Sequence, residues 1–191
     1  MSAPQSKTEL IEQLSHVQRE VTTAVQNMSD AQFNSGSDES WSAAGYLKHL
    51  ILSVKPFAKA MNLPAAQLEK MFGKPDRPSR TFAEVVAAYK AKLDEGLKAE
   101  NSPSVTPTLY RFPEGTTDEK AHLVQAWNDG NNRLIAALDN WSEAGLDAYQ
   151  LPHPAGDVLT LREMLFFTVY HNTTHWHDIE QVALHVKQSG V

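Results

Sequence analysis

Apolar residues recur along most of this chain at intervals of three and four, the spacing that lines one face of an α-helix. Over residues 7–28 they are Leu10, Leu14, Val17, Val21, Ala24 and Met28, behind a Ser6–Glu9 pair with capping-box spacing, and they predict a first helix. A short capped turn from Ser29 and the polar loop NSGSDES follow. A second helix is expected from Ser42, with Ala43, Tyr46, Leu47, Leu50, Val54 and Phe57 on one face and a kink at Pro56. LPAAQLEKMFG predicts a short extra helix, and GKPDRPSR a loop. Thr81 and Glu84 then cap another helix, which carries Phe82, Val85, Val86, Tyr89, Leu93 and Leu97. NSPSVTPTLYRFPEG, from Asn101, is the longest irregular stretch, and a stretch of that length is expected to cover something.

The next helix is expected from residue 116 or 117 to about 141, striped by Val124, Trp127, Leu134 and Leu138. Gly130 interrupts it, at a cost of about 1 kcal/mol against alanine. A loop, DAYQLPHPAGDV, leads to the last helix, which opens on the Thr160–Glu163 capping pair and runs to about residue 187. No segment reads as a strand, and DVLTL is taken as entry into that last helix. The expected fold is all-α, a four-helix bundle in a single domain over residues 1–191, with a helical segment inserted at about 63–115.

Composition narrows the function. The 191 residues are 41% apolar and 21% charged, as in an ordinary globular domain. A net charge of −6 repels phosphate backbones and argues against nucleic acid as a partner. No apolar run approaches the roughly 18 residues of a membrane span, and MSAPQSKTELIEQL lacks the basic and apolar blocks of a signal peptide. The expected setting is the cytoplasm and the expected partner a small molecule. Cysteine is absent, so a metal here must use His, Asp or Glu.

The last helix contains YHNTTHWHDIEQ, with three histidines in seven residues. At about 100° per residue, His175 falls about 40° from His171 and one turn along. Met164, Thr168, Ile179 and Val182 share that face, so it is the buried one. His177 points about 120° away and is no natural partner. An i, i+4 histidine pair is a two-point chelate, as in HExxH, but Asn172 stands where that motif has its general base. A zincin-type protease is therefore disfavoured. A third ligand must come from another helix, and His49 is the best candidate. Its neighbours one turn away, Gly45 and Ser53, are small and leave room around its ring. The plainer reading is that these are hydrogen-bonded core histidines. His16, His122 and His177 read as surface, and His185 lies too far along to share an ion. Asp178 has three open readings: a hydrogen-bond acceptor behind a ligand ring, a fourth ligand, or a surface aspartate. His153, in LPHP, either lines a pocket mouth or shapes a loop.

WSAAGYLKHL followed by DAYQLPHPAGDVLTLREMLFFTVYHNTTHWHDI resembles the DinB/YfiT-like superfamily, from the first helix to about residue 182. The resemblance implies a four-helix bundle, often dimeric, with a divalent ion, usually nickel or zinc. One histidine of the second helix and two of the last hold it, which here are His49, His171 and His175. Two positions depart from the family pattern. Asp178 stands where a glutamine is common, and Gly45 where a glutamate often caps the helix. Family activities include thiol-dependent S-transfer, a mycothiol-dependent isomerisation and proposed hydrolysis.

Three neutral histidines leave an ion its full charge and open positions, so the expected function is a metal-dependent S-transferase or hydrolase that activates water or a low-molecular-weight thiol. Tyr46, Trp127, Asn131 and the Pro-rich loops are expected to form pocket walls. The alternative is a stress-associated binding or dimerisation protein with a structural or vestigial metal, and a homodimer is expected in either case. Asp178 discriminates, because a fourth protein ligand would close the site.

Overall fold

The computed structural model describes residues 3–36, 40–99 and 102–188. Its first helix, α1 (Lys7–Gln26), starts at the Ser6–Glu9 capping box, with both reciprocal bonds formed. It buries Leu10, Leu14, Val17 and Val21, with Val25 rather than Ala24 completing the stripe. A one-turn helix, α2 (Asp30–Asn34), seats Phe33 in the core. Helix α3 (Ala43–Met61) is capped by Ser42 and passes through Pro56 for another turn. Leu47, Leu50, Ile51 and Val54 make it one of the main walls of the core.

The inserted region holds α4 (Ala65–Phe72), α5 (Phe82–Asp94) and a single 3-10 turn at Pro107–Leu109. Helix α5 ends before Leu97, three residues short of the expected stripe. Helix α6 (Glu119–Ala137) begins later than the threonines suggest. The Asp118 carboxylate accepts from the Ala121 amide and is the true cap, whereas Thr116 turns back to the Pro113 carbonyl. A 3-10 turn, Leu138–Asn140, replaces the last expected turn of α6.

The segment before the last helix is the main correction. Instead of a loop it forms a one-and-a-half-turn helix, α7 (Glu143–Ala148), and an antiparallel hairpin of β1 (Gln150–Pro152) and β2 (Val158–Thr160). Each strand has three residues, too few for an alternating pattern to show in a sequence. DVLTL is thus partly strand, and α8 (Leu161–Gln188) starts immediately after it. The predicted Thr160–Glu163 capping bonds are both present, at 3.2 Å.

The four long helices form a ring in the order α1, α6, α3, α8, each packed on two neighbours. Successive long helices α1 and α3 therefore stand diagonally, as do α6 and α8. This ordering puts α3 and α8 side by side, which no spacing within either helix could indicate. The insertion packs over them: α5 against α8, and the 3-10 turn against α3. Among the described residues no helix is long and apolar enough to cross a membrane.

Candidate metal centre

The α3–α8 seam brings His49, His171 and His175 together. One nitrogen from each lies within 4.8 Å of the other two, the one such cluster of His, Asp or Glu among the described residues. His49 and His171 are buried, and their Nε2 atoms approach to 2.9 Å. His175, one turn further, is partly exposed.

The outward nitrogens define the tautomers. His49 Nδ1 lies 2.8 Å from the Val105 carbonyl, which only accepts, so Nδ1 carries the proton and Nε2 a lone pair. His175 Nδ1 donates in the same way to Asp178 Oδ2 at 2.8 Å. His171 Nδ1 faces Asn172 Oδ1 at a longer 3.4 Å. The inward Nε2 of His49 and of His175 thus carry lone pairs, and the close approach of His49 Nε2 and His171 Nε2 demands a proton between them or, in its place, a cation. Burial, then the neighbouring His175, pulls the His49 pKa down to about 4. Burial, His175 and His49 hold His171 well below the usual histidine value. Both rings are therefore neutral, the ligating form, at neutral pH. A tetrahedral ion with bonds of about 2.0–2.1 Å needs nitrogens roughly 3.4 Å apart, so the donor set suits such an ion after small adjustments.

The rings are held by aromatic neighbours. Phe167 stacks on His171 at 5.0 Å, Trp41 packs on His49 at 5.1 Å, and Tyr46 lies 5.4 Å from His175. The glycine expected to open space beside His49 does something else. A Cβ on Gly45 would stand 2.9 Å from the Trp41 Cβ, so Gly45 makes room for the indole rather than for a ligand. Ser53 does border open space, and its hydroxyl donates to the His49 carbonyl.

Two hollows flank the centre. A chamber of about 80 Å³ extends from His49 and His171, walled mainly by Phe57, Val105, Met164 and Phe167. A larger groove of about 380 Å³ runs past Trp41, Tyr46, His175 and Asp178. Tyr89 borders both. Burial, then Tyr170, pushes its hydroxyl up to about 12, so it stays protonated.

The irregular stretch after Asn101 does cover something, since its Val105 carbonyl orients His49. Two expected wall residues are elsewhere. Trp127 is a core residue whose indole donates to the Gln18 carbonyl of α1, and Asn131 donates to the Trp127 carbonyl. A helical stripe shows which face is buried but not which neighbour it meets. His16, His177 and His185 are at least partly exposed and outside the cluster, whereas His122 is half-buried against the Tyr110 hydroxyl at 2.9 Å. His153 is buried and lines the chamber.

Comparison with known proteins agrees with this architecture. A family model described as the DinB superfamily matches residues 13–179. A solved structure, YfiT from Bacillus subtilis, described as a probable metal-dependent hydrolase with an unusual four-helix bundle topology, superimposes with a TM-score of 0.61. It is 18% identical, over 98% of this chain and 94% of that one. No curated protein matches this sequence.

Proposed function

Because the chain belongs to the DinB superfamily, we propose that it is a divalent-metal-dependent enzyme in which His49, His171 and His175 hold the ion. The observation that carries this reading is the arrangement of the imidazoles, with Nδ1 of His49 and His175 fixed outward and Nε2 left to face the cluster. A divalent ion supplies the Lewis acidity that makes water or a low-molecular-weight thiol a nucleophile near neutral pH.

The chain's own groups do the rest. The Val105 carbonyl and Asp178 keep two ligand rings in register. Phe57, Met164 and Phe167 exclude water from the chamber side, which strengthens electrostatic interactions at the centre. Asp178 bonds the nitrogen of His175 that faces away from the cluster. That supports an open site over a closed structural one, since no fourth His, Asp or Glu joins the cluster among the described residues.

The test starts from protein purified without a histidine tag, loaded with zinc or nickel, and assayed on parallel panels of ester and amide hydrolysis and of thiol transfer. A metal-dependent activity in one panel is expected, reduced at least about 100-fold in His171→Ala. Activity that survives that substitution, or that ignores metal, overturns the reading.

A further inference from the structure

The hairpin that sequence periodicity did not reveal delivers one side chain to the chamber. His153 is the first residue of its turn. Its amide donates to the Asp157 carbonyl at 2.7 Å, and its carbonyl accepts from Gly156 at 2.9 Å. Gly156 has φ of +87°, a left-handed conformation that a glycine adopts without strain. Helix α5 fastens the tip through Lys92, whose ammonium reaches the Ala155 carbonyl at 2.8 Å and Asp157 at 2.7 Å. The histidine is thus mounted on a fixed turn.

Its ring is also fixed. The edge-on contact with Phe167 has centroids 4.2 Å apart, and Phe167 in turn stacks on His171. The Ala155 amide donates to His153 Nδ1 at 3.2 Å. An amide can only donate, so Nδ1 is the acceptor and the ring proton sits on Nε2. No group among the described residues accepts from that Nε2–H, and the residue borders the same chamber as His49 and His171. Burial outweighs the nearby Asp157 and, with Lys92, brings the His153 pKa down to about 4, so the donor carries no charge at neutral pH.

A donor on the chamber wall with no protein acceptor is left for a bound ligand to use. We propose that His153 is a substrate-binding residue, which uses Nε2–H to select a small apolar group bearing an uncharged acceptor oxygen, such as a ketone, ester or amide carbonyl. The inference rests on the reading of the chamber as the substrate pocket of the metal centre. Size and polarity set the class. About 80 Å³ admits a group of a few heavy atoms, and the walls are largely apolar. In the metal-free chain a carboxylate would enter without a buried counter-charge, because Lys92 is held by Asp157 and Lys98 on the rim is exposed to water.

The probes are cyclopentanone, cyclopentane and cyclopentanecarboxylate, matched in ring size and different in polarity. Each is titrated at pH 7 into the metal-free full chain labelled with 15N, and the histidine side-chain signals are followed by NMR. Cyclopentanone is expected to bind about tenfold more tightly than cyclopentane and to shift the His153 Nε2–H signal, and the carboxylate is expected not to bind. His153→Phe keeps a ring of similar shape without the donor and should abolish the preference for the ketone. His153→Gln returns an N–H near the ε position and should restore part of it. Should the Phe variant fail to fold, the wild-type ketone preference and the Nε2 shift still decide. Equal affinity for ketone and hydrocarbon, a preference that survives in His153→Phe, or no binding of either probe overturns the proposal. Ketone selection in a protein without metal-dependent activity would sink the proposed function and leave this assignment standing; activity without ketone selection would do the reverse.

Discussion

Asp178 lies one turn beyond the ligand pair, 38% exposed, and yet it carries out a task that burial does not reveal: it receives the Nδ1 proton of His175 at 2.8 Å. Of the three readings its sequence position allowed, this bond favours the acceptor behind a ring. Without the carboxylate, His175 keeps its place on the helix but can turn about its side-chain bonds, and loses a partner that raises ligand basicity. Asp178→Ala is therefore expected to weaken zinc or nickel binding by about 10- to 100-fold, with the melting temperature of the metal-free protein almost unchanged. Competition against a chromophoric chelator measures the first and calorimetry the second. Unaltered affinity would make Asp178 a bystander. At this scale the sequence was legible where a single helix decides the outcome. His171 and His175 fall together and His177 falls away by helical phase alone. It was illegible where the outcome depends on a contact, as with Trp127, which turns to α1, and Asn131, which bonds back to its own helix, instead of the site.

Two glycines show the same divide at the scale of helices. Both interrupt helices, and by propensity alone both should gain about 1 kcal/mol on replacement by alanine. At Gly130 of α6 a Cβ would meet Val54 Cγ1 at 3.6 Å, an ordinary contact with α3. At Gly45 of α3 it would meet Trp41 Cβ at 2.9 Å, which forces the indole to shift. Gly130→Ala is thus expected to stabilise by about 0.4–1 kcal/mol, and Gly45→Ala to destabilise by about 1 kcal/mol or more and to displace Trp41 from His49. Urea unfolding gives both signs, and tryptophan fluorescence reports the displacement. The same sign at both positions would refute the packing account. Capping boxes at Ser6, Thr81 and Thr160 were readable because cap and partner are three residues apart. The hairpin was not, because its strands are shorter than any periodicity, and the start of α6 was not, because Asp118 competes with nearby threonines.

One carboxylate links scales. Glu163 reads as the partner in a capping box, and it is, but it is also fully buried beneath the inserted loop. Arg77 grips it with two bonds of 2.5 and 2.8 Å, and Arg80 adds its side chain and amide. Burial alone would raise the Glu163 pKa; the bonds from Arg77 and Arg80 outweigh it and bring the value to about 2. The folded-state value is depressed, so the associated stability is present above the unfolded value near 4.5 and drains away as pH falls toward 2. A displacement of that size corresponds to at most about 3 kcal/mol. Glu163→Gln keeps the shape and removes the charge, and is expected to cost about 3 kcal/mol at pH 7, with the gap to wild type shrinking in acid. Urea midpoints at pH 7, 5 and 3 would show it, and a gap independent of pH would assign the loss to shape instead of charge.

For the molecule as a whole, the proposed metal site joins non-adjacent parts of the chain, since His49 and His171 are 122 residues apart. An ion bound there reports on the assembled bundle, because the unfolded chain does not hold the three rings at one point. Binding only to the folded state stabilises it by about 2.7 kcal/mol when free metal is 100 times the dissociation constant. For a domain of this size, that amounts to a rise of about 5–10 °C in melting temperature. The rise should vanish in His171→Ala, where the central ring is gone, and shrink in Asp178→Ala at fixed metal, where only affinity falls. Scanning calorimetry with zinc and with nickel, on protein first stripped by chelator, separates these cases. An equal rise in wild type and His171→Ala would mean that the ion binds elsewhere on the acidic surface. A rise specific to wild type ties the metal to the α3–α8 seam, whose two helices only the ring order α1, α6, α3, α8 makes neighbours.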